Sequence, residues 1–152
     1  MIRRGGHQDV PFLRDMLRHA FYWRSGEAAA ADEPLFRYVK AWGRRGDRAV
    51  IAIEDFRAVG AAWFRLFTGA NPGFGFVDEQ TPELAIAVVP SRRGKGTGSQ
   101  LLQALIEQAR RDGFAALSLS VERDSPAVEL YRRYGFETVN ESGDSRTMRA
   151  EL

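Results

Sequence analysis

The fold class this sequence predicts is mixed α/β in a single domain, and three observations predict it. The apolar run ELAIAVV (Glu83–Val89) leads into a glycine-rich turn, then into an amphipathic stretch (Thr97–Asp112), then into an alternating run (Ala116–Val121). That is the order strand, loop, helix, strand. Two more strand-like runs, RAVIAIE (Arg48–Glu54) and AVGAAWFRLF (Ala58–Phe67), stand before it, joined closely enough for a hairpin. The 152 residues hold no repeat, linker or break in composition, and such a length buries one substantial core.

Each element has its own signal. Residues 2–4 suit a short first strand. From Asp9, a candidate N-cap, Val10, Leu13, Leu17 and Phe21 recur near a period of 3.6 and predict a helix. SGEAAAADEP (Ser25–Pro34) reads as a loop or short helix, and Glu33–Gly43 as a helix with Pro34 near its start and Gly43 past its end. Thr68–Thr81 is a loop rich in turn formers, and its Phe74 and Phe76, with Phe67, are candidates to wall a pocket. Leu101, Leu102, Leu105, Ile106 and Ala109 form one stripe along Thr97–Asp112, which Gly113 closes. A further helix starts at Ser125 as N-cap with Pro126 first inside and ends at Gly135. The tail reads as two strands around ESGDS.

Composition excludes several classes of function. Twenty-two basic residues against twenty acidic ones leave a net charge of +2, too balanced to argue for nucleic acid. There is no cysteine, so disulfides, thiolate metal sites and a cysteine nucleophile are excluded. Two histidines, His7 and His19, do not suggest a metal centre. No apolar run approaches membrane-spanning length, and the expected location is the cytoplasm.

The chemistry concentrates in RRGKGTG (Arg92–Gly98). A strand-to-helix junction presents unpaired N–H groups and the positive end of the helix dipole, and glycines let an anion approach the backbone. Arg92, Arg93 and Lys95 add charge, and Lys95 is one of only two lysines. The loop is not a mononucleotide P-loop, because Lys95 precedes Gly96 and no Gly-Lys-Ser/Thr follows. It is not a dinucleotide fingerprint either, since Ser99 or Leu101 stands where the third glycine belongs.

The remaining pattern, Arg93-x-x-Gly96-x-Gly98 between a strand and a long helix, resembles the acetyl-CoA motif of the GNAT N-acetyltransferase superfamily. SPAVELYRRYGFE (Ser125–Glu137) resembles that family's second motif, and the two stand in the expected order. The resemblance covers about Arg48–Leu152. It implies a GNAT-like twisted sheet, mostly antiparallel, of about six or seven strands with one splayed parallel pair and helices on both faces. The pantetheine arm of acetyl-CoA would lie in the splay against Ile86, Ala87 and Val88, and the backbone of Arg93, Gly94, Lys95, Gly96, Thr97 and Gly98 would take the pyrophosphate. Tyr131 falls on the tyrosine that protonates the departing thiolate, and Glu83 on the strand glutamate that takes the amine proton. The family's asparagine aligns with Asp124 by count and with Ser125 by local pattern, and the resemblance implies that Ser125 would cap the helix and hydrogen-bond the cofactor.

The implied function is acetyl transfer from acetyl-CoA to an amine acceptor, with no acyl-enzyme and no metal. Two rivals remain. One is a non-catalytic acyl-CoA-binding module, and the other is a nucleotide-binding protein using the same loop. Asp78 and Glu79 are alternative carboxylates. Neither nucleic acid nor membrane is expected as a partner, and the terminal strands could pair with a second copy as a homodimer.

Overall fold

The first strand closes one edge of the sheet by pairing with a strand more than forty residues further along the chain. β1 (Ile2–Arg4) runs antiparallel to β2 (Arg48–Glu54), which forms a hairpin with β3 (Arg57–Arg65), and β3 pairs antiparallel with β4 (Glu83–Val88). A crossover through helix α3 (Thr97–Arg111) then delivers β5 (Ala116–Glu122) parallel to β4. β6 (Glu137–Ser142) and β7 (Ser145–Glu151) finish a seven-stranded sheet in the order β1-β2-β3-β4-β5-β7-β6. The computed structural model describes residues 1–21 and 33–152. The sequence readings for residues 25–32 therefore lie outside the described residues.

The strands are two-faced, and each face buries its own core. On one side Leu101, Leu102, Leu105 and Ile106 of α3, with Val128 and Tyr131 of α4 (Ala127–Arg133), pack on Val50, Ala62, Phe64, Leu117 and Leu119. On the other, Leu13, Met16 and Leu17 of α1 (Val10–Phe21) pack with Tyr38 on Ile51, Ala61 and Trp63. Val50 and Ile51 are neighbours in sequence and belong to opposite cores, as a period of two requires. Each fully buried leucine contributes about 2 kcal/mol.

The predicted α/β class and the pairing scheme hold, with differences at three element ends. Asp9 does not cap α1. It sits in a 3₁₀ turn (His7–Asp9), where its carboxylate pairs with Arg3 at 2.7 Å and accepts the Gly6 N–H at 2.9 Å. The Arg3 guanidinium holds that carboxyl below its usual range. The helix at 125 starts later, at Ala127, with Ser125 Oγ accepting the Ala127 N–H at 3.2 Å.

The third difference is larger. The helix read over Glu33–Gly43 is only α2 (Glu33–Phe36), followed by turns up to Ala41, whose φ is 54°. Side chains from β3 capture the carbonyls that would have continued it. Arg65 Nη1 donates to Arg37 O at 2.9 Å and to Lys40 O at 2.7 Å, and Trp63 Nε1 donates to Tyr38 O at 3.0 Å.

Arg65 is fully buried, and its charge is met by Asp47 at 2.6 Å, also buried. Asp47 Oδ2 further accepts the Gly43 and Arg44 N–H groups. Removing one member of such a pair strands the other charge in a dry interior. Asp47→Ala is expected to lower the unfolding free energy by about 3–5 kcal/mol, measured by urea denaturation at pH 7.

Candidate active site

Parallel strands β4 and β5 share one registered pair, Glu83 with Ser118, reinforced by the Ser118 N–H donating to Pro82 O at 3.0 Å. Beyond it they part, as the resemblance implied. The gap opens into a cleft of about 760 Å³. Ile86, Ala87 and Val88 line one wall, and Ser125, Leu130 and Tyr131 line the wall under α4. The glycine loop closes one end with Arg92, Arg93, Gly94, Gly96, Gly98 and Ser99.

The loop is shaped for an anion. A 3₁₀ turn (Pro90–Arg92) turns the chain off β4, and Gly96 caps α3 with φ 83°, a left-handed conformation that a side chain would strain. The N–H groups of the first helical turn then face outward with the positive end of the dipole of a fifteen-residue helix. Gly98 is more telling. Its φ is not left-handed, and a Cβ there would meet only Leu130 at 3.8 Å and Val88 at 4.0 Å, ordinary contacts. The chain's own packing thus tolerates a side chain at 98, and the glycine leaves that space open beside the helix N-terminus. A diphosphate fits this cradle.

The cradle is tied to the β2–β3 hairpin. Thr97 Oγ1 donates to Glu54 Oε2 at 3.1 Å, and Arg92 pairs with Glu54 at 3.0 Å and with Asp55 at 3.3 Å. Thr97 therefore contributes its backbone to the loop and turns its side chain away. Arg93 Nε donates to Val88 O at 3.0 Å, holding its guanidinium at the cleft mouth. Lys95 does not line the cleft.

Tyr131 is almost wholly buried, with its ring edge-on to Phe136, and burial pushes its phenol well above the usual value. Its hydroxyl therefore stays protonated at neutral pH. Ser125 lines the cleft, whereas Asp124 does not. Asp78 Oδ1 accepts the Gln80 N–H and Glu79 Oε2 accepts the Gly69 N–H, both at 2.9 Å, which makes them caps of the Thr68–Thr81 loop. Of the three aromatics expected to wall a pocket, Phe74 reaches the cleft, Phe67 is buried and Phe76 packs on the α1-side core.

Glu83 lies at the vertex of the splay, 1% exposed, and does not line the cleft. The Tyr38 hydroxyl donates to its Oε2, and the Phe74 N–H donates to that hydroxyl at 2.8 Å. Desolvation lifts the Glu83 carboxyl to about 7, against smaller downward pulls from the Tyr38 hydroxyl, the Gly75 amide and the Arg37 charge. Tyr38 is not singled out by any motif, because it reaches Glu83 across 45 positions of sequence. His19, at the end of α1, also lines the cleft unannounced, and burial lowers its pKa, so the ring is neutral at pH 7. Glu122 and Asp144 border the same mouth.

Comparison with known proteins agrees with this geometry. The model of the acetyltransferase (GNAT) family matches residues 10–136. An L-methionine sulfoximine/L-methionine sulfone acetyltransferase of Pseudomonas aeruginosa is 47% identical over 58 residues, covering 38% of this chain and 34% of its own. An L-2,4-diaminobutyric acid acetyltransferase of Nocardia farcinica is 32% identical over 82 residues, covering 51% and 37%. The aligned segments thus span about a third of the length of these curated relatives. Among solved structures, a ribosomal-protein-alanine N-acetyltransferase from Brucella melitensis superposes with a TM-score of 0.73 at 25% identity, covering 100% of this chain and 99% of the other. A phosphinothricin acetyltransferase from Sinorhizobium meliloti in complex with AcCoA shares the fold, with a TM-score of 0.72 at 22% identity, covering 100% and 88%. With the family model spanning the first core helix, the glycine cradle and Tyr131, the chain belongs to the acetyltransferase (GNAT) family.

Proposed function

We propose that this protein transfers an acetyl group from acetyl-CoA directly to a primary amine. The observation that carries the reading is the continuity of the splay, where one cleft joins a diphosphate cradle at the α3 N-terminus to a protonated tyrosine on α4.

Bound acetyl-CoA supplies the acyl thioester. The N–H groups of the first turn of α3, with Arg92 and Arg93, hold the diphosphate, and the unpaired edge of β4 at Ile86–Val88 hydrogen-bonds the extended arm. Positioning does most of the work, since an amine and a thioester react once aligned and dry. Tyr131 delivers its proton to the sulfur as the thiolate leaves. Glu83, poised about pH 7, takes the ammonium proton, and its burial requires that this proton arrive through the loop that covers it. The two curated relatives described above are named for small amino-acid acceptors, so amino-acid amines head the candidate list.

Acetyl-CoA is expected to raise Tm by several degrees, and CoA thiol to be released in the presence of an amino-acid amine. No shift with acetyl-CoA or CoA overturns the reading. A shift without thiol release across amino acids, polyamines, aminoglycosides and peptide N-termini makes the protein a binding module instead. Gly98→Ala is expected to leave Tm unchanged or slightly raised, because alanine favours a helix, while weakening CoA about tenfold or more by calorimetry. Tyr131→Phe is expected to lower kcat about a hundredfold with KM for acetyl-CoA changed less than about twofold.

A further inference from the structure

The Tyr38 hydroxyl is placed so that it can act only one way on Glu83. A phenol has one proton to give. The Phe74 N–H occupies the acceptor side of the Tyr38 oxygen at 2.8 Å, so its own proton is directed at Glu83 Oε2. The second carboxylate oxygen, Oε1, is buried with no hydrogen-bond partner among the described residues. Gly73 lies against it so closely that a Cβ there would come within 2.1 Å. Oε2 is therefore committed as an acceptor, and Oε1 is the atom left to gain or lose a proton.

From this geometry we propose that Tyr38 is a positioning residue for the transfer reaction, holding Glu83 so that Oε1 exchanges the acceptor's proton. The proposal rests on the reading of Glu83 as the base. Because Glu83 does not line the cleft, the step runs through a relay: the ammonium N–H bond breaks, a proton is passed on so that an O–H bond forms at Oε1, and the nitrogen keeps its electron pair for attack on the thioester. Tyr38 loses no proton, since burial and the neighbouring carboxylate both raise its own pKa.

No other group facing Glu83 among the described residues does this. Arg37, on the same turn as Tyr38, contributes positive charge but spends Nη1 on Pro72 O and lies over the Phe74 ring, 5.6 Å from its centroid. Arg65 is opposite Glu83 in register on β3, and Asp47 holds its charge. From β5, Ser118 is in register with Glu83 and presents a buried hydroxyl without a partner. Among the described residues Tyr38 is the side chain that donates directly to the carboxylate, beside the weaker pull of the Gly75 backbone amide, and through the Phe74 amide it is connected to a residue that lines the cleft.

The test is the pH profile of kcat/KM for Tyr38→Phe beside Glu83→Gln. Losing the Tyr38 hydroxyl removes a stabiliser of the carboxylate, so ionisation becomes harder and the acid limb, near pH 7 in the parent, moves up by about one unit. The expected result for Tyr38→Phe is about a fivefold loss of kcat/KM at pH 7 that is recovered by about pH 9, with the CoA-induced rise in Tm unchanged. A trifluorotyrosine placed at position 38 keeps the shape and strengthens the donor, so it is expected to move the limb down. A loss equal at every pH, or a limb unmoved by both replacements, overturns the role of Tyr38 while Glu83 stands as base. A Glu83→Gln profile that keeps the parental limb overturns the base itself, and the inference with it.

Discussion

β4 and β5 are held side by side by one residue pair, Glu83 with Ser118, and the functional geometry follows from how little pairing they share. Each strand is fully engaged on its outer edge, β4 with β3 and β5 with β7. Their facing edges past the vertex carry N–H and C=O groups without a strand partner, a condition a buried backbone tolerates only when something else satisfies it. Part of the answer is internal, since Arg93 donates to Val88 O. The rest is left open, so a defect in the sheet becomes a groove with free backbone groups on its walls. The crossover helix α3 starts at the open end, so the same divergence that bares the strand edges also aims a helix N-terminus into them.

Arg65 and Glu83 are both buried on the α1 side of the sheet, and the fold treats them oppositely. Arg65 has Asp47 and two backbone carbonyls, so it keeps its charge and pins the chain after α2. Glu83 receives one phenol donor, the weaker pull of the Gly75 amide and no ion pair, so its charged form stays only marginally favoured. The residues are adjacent in register on β3 and β4, yet one serves as a fixed strut and the other as a group near its titration point. That contrast comes from the number of donors and acceptors supplied to each, not from depth.

What could be read from the sequence was what is local in it. The cradle from Arg92 to Gly98 and the helix bearing Tyr131 are contiguous patterns whose residue types carry their own geometry, and the alternating runs set strand faces correctly. The helix over Glu33–Gly43 was misread because local propensity cannot see Arg65 and Trp63 taking its carbonyls from β3. Asp9 was misread for the same reason, its cap position yielding to Arg3 on β1. Tyr38 and His19 carried no signal at all, because a lone tyrosine and a lone histidine acquire meaning only from what the sheet brings beside them.

The loop between β3 and β4 has two anchors and one free wall. A Cβ at Gly73 would strike the Glu83 carboxylate, and one at Gly75 would come within 2.4 Å of the Leu119 backbone. Between them Phe74 stands 48% exposed and lines the cleft. The two glycines fix where the backbone runs whatever side chain lies between them. Descent with modification can therefore retool the wall of this cleft at position 74 while leaving Glu83 and the sheet undisturbed. The loop is an interchangeable socket, whose cleft-facing side chain at position 74 can vary without rebuilding the fold.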